Sequence, residues 1–145
     1  MQLKSEAFEN GERIPSRYTC DGKNVSPPLR IEDVPEEAES VALVMDDPDA
    51  PGGTFDHWLV WNIDPATTEI PEGEAPEGVS GKNDFGDLSY GGPCPPSGTH
   101  SYRFKIYALD RTLDLAEGST KGQLQQAMRG HVLEEHLLEG DYSRT

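Results

Sequence analysis

Two apolar runs face each other across one short, rigid loop. SVALVM covers Ser40–Met45, HWLVWNI covers His57–Ile63, and the residues between them include the acid-proline segment DDPDAP. Each run is too short for a stable helix and is bounded by Pro and Gly, so both read as strands, the second beginning at Asp56. Ser40–Met45 is apolar on both of its faces and therefore belongs in the middle of a sheet. Strict alternation in the second run puts His57, Leu59, Trp61 and Ile63 on one face and Trp58 and Val60 on the other. One of those faces is core. The other is an interface or a second core. Acids and a histidine thus stand where two buried strands meet a loop, which is an expensive place for charge unless the charge is used.

Further strands are expected at Leu3–Phe8, Leu29–Ile31 and Tyr102–Leu109. In HSYRFKIYALD, His100, Tyr102, Phe104, Ile106 and Ala108 share a face while Arg103 and Lys105 point the other way, the pattern of a half-solvated strand. Pro65–Tyr90 is a long connection rich in Pro, Gly, Glu and Asp, and loops of that length in a compact domain are commonly functional or mobile. The period then changes. Thr120 to Gln123 fits a capping box, and Leu124, Ala127, Met128, His131 and Val132 recur at helical spacing. Gly130 is expected to divide this region into two short helices, Gly140 suits a C′ position, and His131 and His136 read as structural or solvated helix residues. Strands first and helices last predict a single mainly β domain over residues 1–145 with C-terminal helical cover.

The chain has 27 Asp and Glu against 12 Lys and Arg, a formal charge of −15. That field repels phosphate backbones and anionic bilayers, so nucleic acid is excluded as a partner and stable membrane association is not expected. It also suits a protein working at high salt, where screening relieves self-repulsion. MQLKSEAFENG lacks the apolar core of a secretory signal, which points to the cytoplasm. In that compartment Cys20 and Cys94 are expected as two thiols, although they could form one bridge; they lack zinc spacing.

Three loops combine prolines and glycines with a few polar side chains: CDGKNVSPPL (Cys20–Leu29), DDPDAP (Asp46–Pro51, followed by His57) and YGGPCPPSGTHSY (Tyr90–Tyr102). Rigid loops with convergent polar groups at strand ends commonly build small-molecule pockets. Asp47-Pro48-Asp49-Ala50-Pro51, His57 in DHWLVWNI, and Gly92-Pro93-Cys94-Pro95-Pro96 with His100 and Tyr102 together resemble the phosphatidylethanolamine-binding protein family. These proteins are also called Raf kinase inhibitor-like, and the likeness is to their bacterial and archaeal branch. Asp21-Gly22 and Asn24-Val25-Ser26-Pro27 fit as well, and the resemblance runs along nearly the whole chain.

The resemblance implies a β-sandwich of antiparallel sheets with an anion pocket at one end. By motif, Asp47, His57, Pro95, His100 and Tyr102 line that pocket, with Asp49, Cys94 and Asp21 in support. It also implies a cis Ala50–Pro51 bond, a non-enzymatic binding role without a cofactor and a homodimer. Inhibition of a kinase or protease is the alternative partner reading.

The chemistry of the residues agrees with an anion site. Two imidazoles and a phenol can donate hydrogen bonds to a phosphoryl oxygen. Asp47 cannot bind an anion while ionised, but it can orient and charge a neighbouring histidine. Asp46 reads as a loop-capping residue and Cys94 as a packing one. Two histidines with two carboxylates could also hold a metal, and a His/Asp or Cys94 hydrolase is the enzymatic alternative. The resemblance points instead to an anion and assigns no metal.

Overall fold

The computed structural model describes residues 1–144 and consists of two sheets packed face to face. The smaller sheet orders β1 (Gln2–Lys4), β3 (Leu29–Glu32) and β6 (Glu69–Ile70). The larger is six-stranded: β2 (Glu12–Arg13), β9 (Val132–Tyr142), β8 (His100–Leu109), β4 (Ser40–Asp47), β5 (Phe55–Ile63) and β7 (Val79–Ser80), in that spatial order. The expected β-sandwich is therefore present. All pairs are antiparallel except β2 with β9, which run parallel. Among the described residues, no helix is long and apolar enough to cross a membrane.

Every residue of β4 is buried, as a central strand must be. Its alternate side chains feed two cores. Val41, Leu43 and Met45 join Trp58, Val60, Phe104 and Ile106 against Leu3, Leu29, Ile31 and Ile70 of the small sheet. Ala42 and Val44 join Leu59, Trp61, Leu113, Leu124 and Met128 on the other side. This second core lies under the only α-helix among the described residues, α1 (Lys121–Met128). The capping box forms as expected: the Thr120 hydroxyl accepts from the Gln123 N–H, and the Gln123 side chain accepts from the Thr120 N–H.

The C-terminal helical reading fails beyond Met128. Gly130 turns the chain with φ +81°, and Val132–Tyr142 is the longest strand of the fold, pairing β8 from Leu109 to His100. His131 therefore lies in the turn before that strand and His136 within it. The physical reason is the edge of β8: its backbone groups need a ladder partner along their whole length, and that requirement outweighs a weak local helical period. Gly140 consequently caps no helix. A Cβ there would lie 2.6 Å from Ile14 Cγ1 and 2.8 Å from Phe8 Cε2, so the residue is glycine because side chains press onto the strand.

Two further expectations are corrected. Cys20 and Cys94 form a disulfide, with Cα atoms 5.4 Å apart. The loops that carry them are already joined by a hydrogen bond from the Cys20 N–H to the Pro93 carbonyl, 3.1 Å. No peptide bond among the described residues is cis, so Ala50–Pro51 is trans.

Asp46 does not cap a loop either. It is a fully buried strand residue that accepts Arg103 Nε at 2.8 Å and Lys105 Nζ and Lys121 Nζ at 3.2 Å each. Lys121 also reaches Asp56 Oδ1 at 2.6 Å, which fastens the start of α1 to β5. Burial alone would push the Asp46 carboxyl up, but the Arg103 bond and the two ammonium charges outweigh it and hold the group below its ordinary value. The stability this contributes is full above the ordinary carboxyl pKa and is lost as pH falls through the lower folded value. Asp46→Asn leaves three cations short of their shared partner. Urea denaturation is expected to show a loss of about 3 kcal/mol at neutral pH.

Candidate functional site

At one end of the large sheet, β4, β5 and β8 deliver Asp47, His57, His100 and Tyr102 around a cavity of about 210 Å³. Its remaining walls are Ala50, Pro51, Phe55, Phe85, Cys94, Pro95 and Pro96. A wider groove of about 450 Å³ crosses the sheet elsewhere, beside Arg103, Lys105 and Tyr107. Its two cations are already committed to Asp46.

His57 reaches this cavity through a β-bulge. Met45 pairs with Trp58 but Asp46 pairs with Asp56, so His57 is an extra residue in the ladder. Strict alternation would place the ring with Leu59 and Trp61 under the helix. The bulge turns it to the side of Trp58 and Tyr102. A second irregularity at Asn62, φ +55°, moves Ile63 to the same core as Val60, so the alternation expected for this strand fails at both ends.

The rings stand in a row. Tyr102 meets His57 edge-on at 5.4 Å and lies nearly parallel to His100 at 6.3 Å between centroids. His57 Nδ1 donates to the Gly91 carbonyl at 2.6 Å, which fixes the hydrogen on that nitrogen and leaves Nε2 for a ligand. His100 Nδ1 donates to Asp47 Oδ2, also at 2.6 Å. The acid therefore orients His100 and not His57. Asp47 Oδ1 accepts the Asp49 N–H at 2.8 Å, and Asp49 Oδ2 accepts the Ser101 N–H at 2.8 Å. Both Asp47 oxygens are thus spent inside the protein wall, so neither is left as a bare charge facing an anion.

Burial pushes the His57 pKa below its ordinary value and outweighs the Gly91 bond and the nearby carboxylates. Burial, with the Asp47 and Asp49 charges, pushes the Tyr102 phenol above its ordinary range, so it keeps its proton and remains a donor. Asp21 does not line the cavity. It accepts Tyr142 Oη at 2.6 Å and the Arg144 guanidinium at 3.1 and 3.2 Å, and these bonds hold its carboxyl below its ordinary value.

Sequence reasoning missed the aromatic side of the cavity. Phe55 and Phe85 pack edge-on at 4.8 Å, and both rings contact His57, at 5.0 and 5.4 Å. Phe85 lies in the long connection and is held by Asn83, a buried residue with all its polar capacity used. Asn83 Nδ2 donates to the carbonyls of Ser89 (2.7 Å) and His57 (3.3 Å), and Oδ1 accepts the N–H groups of Phe85 and Asp87, both at 2.9 Å. The Asn83-Asp84-Phe85-Gly86 run, with Gly86 at φ +88°, was the available signal.

Comparison with known proteins agrees with the fold. The family described as phosphatidylethanolamine-binding protein matches residues 4–143. A UPF0098 protein from Methanothermobacter thermautotrophicus is 53% identical over 99% of both chains. A crystal structure of a phosphatidylethanolamine-binding protein homologue from Chlamydia trachomatis superposes with a TM-score of 0.96 at 43% identity, covering 99% of this chain and 97% of that one. Escherichia coli YbcL, described as a member of the mammalian PEBP family, gives 0.91 at 31% identity over 99% and 98%.

The depressed His57 pKa has a measurable consequence. The unfolded chain takes up a proton at this residue as pH falls through 6.5, whereas the folded chain resists until lower pH. Stability is therefore expected to decline from pH 7.5 to 5.5 in denaturant titrations. His57→Asn, which can still donate to Gly91, should lose that part of the slope.

Proposed function

The chain belongs to the phosphatidylethanolamine-binding protein family, and we propose that its end-of-sheet cavity holds a compact anion, a phosphoryl or carboxylate group. The observation that supports this reading is the row of His57, Tyr102 and His100 on one small hollow, with both Nδ1 atoms already anchored. Such a row presents Nε2 atoms and a phenol hydroxyl to the same ligand. Around it, Phe55, Phe85, Pro51 and Pro95 form an apolar rim, which lowers the local dielectric and strengthens each polar contact to a charged group. At about 210 Å³ the hollow suits a head group, and acyl chains would have to lie outside it.

Neutral His57 accepts at Nε2 and becomes a donor there only on taking up a proton, so it meets a protonated phosphate oxygen or charges as the anion arrives. Binding is accordingly coupled to proton uptake and tightens as pH falls. The site reads as one that retains its ligand: with Cys94 bridged, no free thiol stands ready as a nucleophile, and the two histidines are braced by acceptors.

Inorganic phosphate titrated into the full chain at pH 6.5, followed by two-dimensional NMR, should shift the resonances of His57, His100 and Tyr102 together. His57→Ala and His100→Ala are each expected to weaken binding about tenfold, the loss of one charge-assisted hydrogen bond. Unmoved resonances at about 10 mM phosphate, and equally at that concentration of acetate, would refute the reading.

A further inference from the structure

The disulfide is part of the cavity wall. Cys94 lines the hollow with Pro95 and Pro96 and is exposed to solvent, while Cys20 is half-buried behind it. The two chain segments they join are otherwise linked only on the N-terminal side of Cys94. The Tyr90 hydroxyl donates to the Tyr18 carbonyl at 2.7 Å, the Gly92 N–H to Asn24 Oδ1 at 3.0 Å, and the Cys20 N–H to the Pro93 carbonyl at 3.1 Å. Among the described residues, no hydrogen bond joins residues 94–99 to the Tyr18–Asn24 segment, so the disulfide is their one tie to it. On the far side the next anchor is β8, which begins at His100.

We propose that Cys20–Cys94 is a thiol-exchange site, reactive toward a small dithiol or a dithiol protein, and that its reduction lowers the cavity's affinity for its anion. Cys94 is the more exposed of the two residues, so a reductant meets it first. A reductant thiolate attacks Cys94 Sγ, an intermolecular S–S bond forms, and Cys20 leaves as a thiolate that takes a proton from water. The reductant's second thiolate then attacks its own bridged sulfur and departs as a disulfide, leaving Cys94 as a thiol. Two electrons pass from the dithiol to the cystine, and both sulfurs end protonated.

The mechanical result follows from where the bonds lie. Hydrogen bonds keep Gly92 and Pro93 in place, so the Gly91 carbonyl stays on His57. The segment from Cys94 to Thr99 is released. Pro95 and Pro96 keep its first part stiff, so that part moves as a unit, with Gly98 at φ +69° near the far end. That motion carries Pro95 and Pro96 away from the histidines and lets water into the hollow.

The affinity readout rests on the anion-site reading above, and the experiment separates the two. Inorganic phosphate is titrated into the oxidised full chain, into the same chain reduced with dithiothreitol, and into Cys20→Ser, which leaves every wall residue unchanged. The reduced chain and Cys20→Ser should both need at least about fivefold more phosphate for half-saturation. Equal affinity within about twofold, with the Phe104 and Ile106 amide resonances unmoved, overturns the proposal. Should Cys20→Ser fail to fold, the reduced wild type decides by the same criterion.

Glutathione trapping judges the exchange step separately. A mixed disulfide mapped by mass spectrometry to Cys94 supports it, and one on Cys20, or none from the folded chain, overturns it. Absence of both phosphate and acetate binding by the oxidised chain overturns the anion reading, and the trapping result then stands on its own.

Discussion

The end of β4 sets the terms for the rest of the molecule. A strand buried on both faces finishes in two consecutive carboxylates, and the pleat sends them to opposite sides of the sheet. Neither can remain charged there without partners, because an isolated buried carboxylate costs far more than folding supplies. On one side Arg103, Lys105 and Lys121 converge on Asp46 and draw the helix onto the sheet. On the other, His100 and the Asp49 N–H saturate Asp47. One dipeptide thereby builds a structural ion cluster and the base of the ligand cavity, back to back across a single backbone.

That economy leaves the histidines with different tasks. His100 is bound to a carboxylate and rides on a regular strand, so its position is as firm as the sheet. His57 depends on one carbonyl and is itself the residue inserted into the ladder. A bulge re-aims a side chain at the cost of a local break in the ladder and a bend in the strand. Here it moves an imidazole from beneath the helix to the row with Tyr102, and the Phe55 and Phe85 rings close around it.

Much of this was legible in the sequence, because strongly apolar segments carry their own period. The central strands and the helix cap announce themselves through Ser40–Met45, HWLVWNI and Thr120 to Gln123, and the proline motifs mark the loops that enclose the hollow. The parts that were not legible depend on distant partners. Val132–Tyr142 reads locally as helix and becomes a strand only because β8 offers an open ladder. The side on which His57 points depends on a register slip, which alternation cannot reveal. The role of Asp46 needed three cations that lie 57 to 75 residues away in sequence. The disulfide joins positions 74 residues apart, and composition could only weigh it against two thiols.

The large sheet ends at each side in a strand of two residues, Glu12–Arg13 and Val79–Ser80. Beside Val79–Ser80, the N–H groups of Gly81, Asp84 and Gly91 also bond carbonyls of β5, whereas Glu12–Arg13 covers β9 only at Gly140 and Asp141. Among the described residues the first part of β9, where Val132, Leu133 and Leu137 are exposed, is therefore an open border of the sheet, and the formal charge of −15 is what works against copies pairing along it.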